Sequence, residues 1–482
     1  MRIRHVAAAV AAVFSTLGVA GCSDSNDNKN EAVTKVDFIG MAAPSTVDQK
    51  ADIYSEARAV YTFESGRTEE YPLQYHKIFD TTTTLGGNVV GGLYSAFGPL
   101  TDNDGQMASD APDGTSLMMI SGLSVPGATG NPLAMVTQFE YKSLPPNDGT
   151  STGEFWSKLP AAMGLALLDQ DARSGMLAAR TYTNIGMAGV QGGWIFCGST
   201  LSPWNTHVSS EEYEPDAKVR GGGAKAADSD DGTDINSFSK YQFNNAATAN
   251  PYHYGLVPEV TVDASGKATV VKHYAPGRFA REMQIGASDN RTFIGGDDGK
   301  ATGLFMFVAD REKDLSAGTI YAAKVTQTAA TGAGSYTLQW IRLGQATDAE
   351  IKSMVDSGIK FSNIFDASNT DPGDATYKKV VTYNGTEWLR LKSGMDKAAA
   401  FLETRRYAAL KGATTEFSKM EYIAYNSTDR KFYVVISRIE TLMTDGAGDI
   451  KVSRNDGGAV LEMATASGVK DSAGATINSS YA

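Results

Sequence analysis

The sequence predicts an all-β protein, and three observations carry that prediction. Fifty glycines against fifteen prolines in 482 residues point to many tight turns rather than long helices. Short β-prone runs recur between Gly, Asn and Asp, at 194–200, 303–309, 336–343, 379–383 and 432–439. A strand–turn–strand unit also repeats: Glu282, Ser288, Arg291 and Phe293 recur at the same spacing as Glu421, Ser427, Arg430 and Phe432. Repeated units of this kind in an all-β chain suggest a β-propeller with a few inserted helices. Equivalent positions of different blades face one axis, so the two glutamates should converge on one pocket.

Taken in chain order, the N-terminus reads as an export signal. Arg2 and Arg4 precede a small-apolar stretch over 6–20 and then Gly21-Cys22. The stretch is short for a bilayer span. Val19-Ala20-Gly21-Cys22 resembles a bacterial lipobox, which would make Cys22 the acylated first residue of a chain exported to the periplasmic or cell-surface side of the outer membrane. Residues 22–35 read as a flexible tether and 36–482 as one domain, with a Gly/Ala/Asp-rich insertion near 221–240. Apolar Phe155, Leu159, Met163, Leu165 and Leu167 suggest a helix over 153–170. Residues 260–274 read as a hairpin around Asp263-Ala264-Ser265-Gly266-Lys267. Two more helices are expected, over 347–357 and over 396–411, the latter capped by Asp396 and closed by Gly412.

Composition limits the function. Hydrophobic residues make up 42% of the chain, enough for a real core. The charge balance, 43 basic against 55 acidic residues for a net −12, argues against nucleic acid and suits a cation-binding protein. Loss of 1–21 would remove two arginines and no acid. It would also leave Cys197 as the single free thiol, since lipid would use Cys22. An unpaired thiol in an exported chain is either buried and inert or bound to something.

The segment Cys197-Gly-Ser-Thr-Leu-Ser-Pro-Trp204-Asn205-Thr206-His207-Val-Ser-Ser-Glu211-Glu212 joins that thiol to paired carboxylates. Thiolate suits a transition metal and carboxylate oxygens suit a hard cation; a buried Cys beside a solvated acidic turn is the plain alternative. Gly277-Arg278-Phe279-Ala280-Arg281-Glu282 is followed by Asp297-Asp298, read either as a hairpin turn or as cation ligands. Lys419 and Glu421 lie two apart and would share a strand face; an edge-strand salt bridge is the alternative. The five histidines, at 5, 76, 207, 253 and 273, form no metal-like cluster.

These motifs, in this order over about residues 70–460, resemble the PhoX-type alkaline phosphatases. The Cys197-to-Glu212 segment is the specific one. The Gly-Arg-Phe and Phe-x-Lys-x-Glu segments follow it, and Thr137-Gln-Phe-Glu140, a looser match, precedes it. The resemblance implies a six-bladed β-propeller with one pocket for Fe3+ and Ca2+, hydrolysing small phosphomonoesters. Carried over by motif, Cys197 would bind iron, and Glu211 or Glu212, Glu282, Asp298 and Glu421 would ligate, with Asp297 and Glu140 as further candidates. Lys419 would contact phosphate, and Arg281 stands at a catalytic position where the family has His. Asn205 and His207 also depart from the family pattern, as does Lys419 in place of Arg. The family's C-terminal segment has no counterpart, so a divergent or shortened member is expected. A monomer with no nucleic-acid partner is expected. The rival reading is a lipid-anchored propeller that binds a cation and ligand without catalysis.

Overall fold

A computed structural model describes residues 31–153, 155, 157–220 and 230–482. The expected export signal, Cys22 and the core of the insertion, 221–229, lie outside the described residues. The chain divides into two compact units at Ile78/Phe79. The described part of the first is a three-stranded antiparallel sheet, β1 (Val33–Ile39), β2 (Arg58–Phe63) and β3 (Thr68–Pro72).

The second unit is built from antiparallel sheets that follow one another along the chain. The first holds β4 (Pro112–Met118), β5 (Asn131–Phe139), β6 (Ala162–Gln170) and β7 (Leu177–Asn184). The second holds β8 (Thr200–Leu201), β9 (His207–Val208), β10 (Val257–Val262) and β11 (Ala268–His273). The third has five strands: β12 (Arg281–Gly286), β13 (Thr292–Asp297), β14 (Leu304–Arg311), β15 (Asp314–Ala329) and β16 (Ser335–Thr347). The fourth sets β19 (Gly385–Leu391) between β17 (Phe365–Ser368) and β18 (Lys378–Thr382). The fifth is β20 (Met420–Asn426), β21 (Lys431–Ile436) and β22 (Ala459–Ala464). Consecutive antiparallel sheets of this kind, four of the five in meander order, are propeller blades. The fold is an all-β propeller, as expected. Five sheets of three or more strands are present among the described residues of the second unit, and a count of six blades does not follow from them.

Most strand expectations hold, and the failures have physical causes. Of the expected helix over 153–170, residues 162–170 are instead the inner strand β6, which explains the misreading. Its residues from Ala162 to Asp169 are buried on both faces, and a continuous apolar run cannot be told from a helix by periodicity. The segment 194–200 reaches strand geometry only at Thr200. The helix 348–356 forms with a capping box from Thr347 and Glu350. The region 396–411 is two helices, Asp396–Leu402 and Thr404–Leu410. They break at buried Glu403, whose carboxylate accepts from Tyr252 Oη at 2.8 Å and Arg406 Nη1 at 2.8 Å. Asp396 is the first helical residue there, with Met395 at the cap.

Candidate functional site

Three sheets share one local irregularity. Pairing shifts between Pro112 and Thr115 in β4, between Arg281 and Gln284 in β12, and between Met420 and Tyr422 in β20. Each shift is a bulge that carries an acid: Asp113, Glu282 and Glu421. A bulge re-aims the side chain it carries. Just past the end of the partner strand, the chain closes on the bulge by the same backbone bond in each copy. Glu140 N–H donates to Ala111 O at 2.9 Å, Asp298 N–H to Ala280 O at 2.8 Å, and Ser437 N–H to Lys419 O at 3.0 Å. Each acceptor lies two residues before its bulged acid. The three acids, with Glu140 and Asp298, line one cavity of about 1010 Å³. The repeated glutamates therefore do converge, and Asp113 makes a third copy.

Cys197 enters this cavity on an irregular loop that borrows its hydrogen bonds from elsewhere. Its carbonyl accepts from the Gln138 amide and from Gly114 N–H at 3.3 Å. A Cβ at Gly114 would meet Ser199 N at 2.6 Å, so glycine is what lets β4 and the loop approach. The loop's other signature residues act as braces. Trp204 Nε1 and Thr206 Oγ1 both donate to Glu259, at 2.8 and 2.5 Å. The His207 ring bonds Ser116 Oγ at 2.8 Å and Gln138 Oε1 at 2.9 Å.

At the centre, Cys197 Sγ lies 2.9 Å from Glu282 Oε1 and 3.3 Å from Asp113 Oδ2. One potential ligand atom from each of Asp113, Glu140 and Cys197 falls within 4.8 Å of the others, and Cys197, Glu212 and Glu282 form a second such trio. Asp298 Oδ2 accepts from Tyr213 Oη at 2.5 Å and from Lys419 Nζ at 2.8 Å; Lys419 also lies 2.9 Å from Glu421 Oε1. Tyr213 and Lys419 both have left-handed backbones, with φ of 42° and 52°. Such conformations persist where the surroundings over-determine them.

The electrostatics describe a site short of positive charge. Burial, then the charges of Asp113 and Asp298, pushes Glu140 up to about 7. Burial and the neighbouring acids push Glu282 up to about 8, and Glu212 well above the usual carboxylate range. Burial, then Glu212, Glu282 and Asp113, pushes the Cys197 thiol far up. Burial also acts on Asp298, but hydrogen bonds from Glu212, Lys419 and Tyr213 outweigh it and hold that acid low. Glu212 Oε1 and Asp298 Oδ1 are buried, and among the described residues no donor reaches them apart from a proton that Glu212 would itself hold. Carboxylates crowded around a thiol with orphaned oxygens fit multivalent cations as the missing partner.

Three expected site residues lie elsewhere, each for the same reason. Neighbouring residues in extended chain point to opposite sides. Glu212 faces the cavity, whereas Glu211 is wholly buried behind it and accepts from Trp194 N–H at 3.0 Å, Leu256 N–H at 3.1 Å and Lys272 Nζ at 2.7 Å. Asp298 faces the cavity, whereas Asp297 is gripped by Arg405 at 2.7 and 2.8 Å. Glu282 faces the cavity, whereas the Arg281 guanidinium turns back to Pro276 O at 2.9 Å and stacks 3.9 Å over Phe279. Glu211, Asp297 and Arg281 are thus struts rather than lining residues. Cys197, Glu212, Glu282, Asp298, Glu421, Glu140 and Lys419 all line the cavity. Sequence reading missed Asp113, whose Ala-Pro-Asp-Gly setting reads as a turn. Its signal was available: an acid opening one strand and Glu140 just after the next, as in the Glu282 unit.

Fold and site together define a class, an all-β propeller with a carboxylate cavity built around one thiol. The family profile described as alkaline phosphatase PhoX matches residues 173–477. The chain belongs to the PhoX alkaline phosphatase family and is a phosphatase. Among solved structures it is similar to Pseudomonas fluorescens PhoX in complex with vanadate, a transition state analogue, at 18% identity and a TM-score of 0.47, covering 77% of this chain and 69% of that one. A Bacteroides uniformis structure described as a 6-phosphogluconolactonase aligns at 10% identity and a TM-score of 0.21, over 89% and 99% of the two chains. No curated protein matches.

Proposed function

We propose that this phosphatase is an exported phosphomonoesterase, lipid-anchored at the outer membrane through Cys22, whose cavity holds ferric iron and calcium. The observation that carries the metal reading is Cys197 seated within 4.8 Å of two carboxylate sets. Thiolate favours the transition metal, and carboxylate oxygens favour calcium. Cys197, Asp113, Glu140, Glu212 and Glu282 would hold the ions, with Asp298 and Glu421 completing the set. When bound, such ions act as Lewis acids on phosphoryl oxygens and supply the positive charge the cavity lacks.

The chain's own residues bind and orient. Lys419 keeps its proton, because Asp298 and Glu421 outweigh the burial that would remove it. Its ammonium serves a phosphate oxygen as a point charge. Tyr213 fixes Asp298, and Ser437 Oγ fixes Glu421 by donating at 2.7 Å. The Trp204, Thr206 and Gln138 braces hold Cys197 in register.

The test is metal analysis of the purified chain, alongside hydrolysis of a chromogenic phosphomonoester before and after chelation. Iron and calcium should both be present, and chelation should lower turnover by about 100- to 1,000-fold, reversibly. Cys197→Ser should lose iron and any thiolate-to-iron absorption. Protein from metal-replete culture that carries neither metal, or that turns over fully after chelation, would sink the reading.

A further inference from the structure

The third copy of the bulge device departs from the other two in charge. Where the first two place Glu140 and Asp298 after the partner strand, the third places Ser437, and Arg438 follows it. Where they have Ala111 and Ala280, it has Lys419. This blade therefore brings two cations, Lys419 and Arg438, to a cavity otherwise lined with acids, its own Glu421 and Glu440 among them.

Three cations line the cavity among the described residues: Lys300, Lys419 and Arg438. Lys419 is committed to Asp298 and Glu421. The other two are loosely held. Lys300 Nζ is 3.5 Å from Glu440, with its side chain 62% exposed. Arg438 Nε is 3.8 Å from Asp456, with its side chain 52% exposed. The Arg438 backbone, by contrast, is pinned: its carbonyl accepts from Ser418 Oγ at 2.8 Å, and Ile439 N–H donates to Asn455 O at 2.9 Å. A fixed backbone carrying an exposed guanidinium is a prepared donor for a planar anion.

We propose that Arg438 and Lys300 form a second anion subsite at the cavity mouth. It takes a carboxylate or phosphate on the leaving group, so preferred substrates are phosphomonoesters that carry a further anionic group. This rests on the reading that the cavity floor takes the phosphoryl group.

The test uses the metal-loaded chain and a non-hydrolysable pair, phenylphosphonate and 4-carboxyphenylphosphonate, with Kd measured by calorimetry. The parent should bind the carboxylated compound about 3- to 20-fold more tightly, the range for one or two partly exposed charge pairs. In Arg438→Gln and Lys300→Gln that ratio should fall, and in the double variant it should approach one. A parent that binds the two equally, or a ratio that survives in the double variant, overturns the proposal. Hydrolysis of the matching phenyl phosphates separates the two readings. A phosphonate ratio that responds to the variants without any hydrolysis leaves the subsite standing and removes the phosphatase mechanism. Hydrolysis with no ratio does the reverse.

Discussion

Glu211 and Glu212 are adjacent and both buried, yet their carboxylates end in opposite surroundings. Glu211 has every oxygen satisfied by two backbone amides and Lys272, whereas Glu212 faces a thiol and other acids. Removing one partner of a buried ion pair leaves the other uncompensated, at about 3–5 kcal/mol. Glu211→Gln should therefore lower thermal stability sharply while folded protein keeps its metal. Glu212→Gln should do the opposite, with reduced metal content and little loss of stability in the apo-protein, because burial among acids already disfavours the Glu212 charge. Thermal unfolding and metal analysis on both variants check this. Equal metal loss in the two would show that Glu211 also reaches the centre. Adjacent acids look alike in sequence, and only the backbone direction at each separates ligand from strut.

At the scale of elements, the signature loop is tied to its neighbours through one histidine. His273, on β11, bonds Glu259 Oε2 at 2.9 Å and Asp348 Oδ2 at 2.7 Å. Glu259 holds Trp204 and Thr206, and Asp348 opens the helix 348–356. Burial works against the charged ring, but the two carboxylates outweigh it and raise His273 to about 9. The folded value lies above the unfolded one of roughly 6.5. Its contribution is therefore complete below about pH 6.5 and is lost as pH rises through 9, an amount on the order of 3 kcal/mol. Thermal unfolding at pH 6, 8 and 9.5 should show the parent's advantage over His273→Gln shrinking with pH. A constant gap would mean that the ring is neutral throughout. Bulges are the other lesson at this scale. The two-residue spacing of Lys419 and Glu421 predicted a shared face, and the side chains do meet at 2.9 Å. They meet across a left-handed residue and a bulge rather than along a regular strand.

At the scale of the whole molecule, no helix among the described residues is long and apolar enough to cross a membrane. Membrane attachment in the proposed function is through acylation of Cys22. Cys22→Ser should move the chain from the membrane fraction to the soluble periplasm, which fractionation and immunoblotting would show. Unchanged partitioning would remove the lipobox reading and leave the phosphatase assignment intact.

The sequence by itself determined the all-β class, the repeat that brings Glu282 and Glu421 together, and the thiol–carboxylate motif that marks the family. These are local properties: turn chemistry, spacing and short motifs survive in one dimension. Tertiary structure alone decided which residue of each acidic or charged pair faces the cavity, since that depends on bulges and on partners that lie anywhere from five to 108 positions away. Arg405, for example, claims Asp297 across 108 positions and so removes it from the site. Asp113 reaches the thiol through a bulge and the approach that Gly114 permits, contacts that its pattern of strand-opening acid and following Glu140 signals only once the strands are paired.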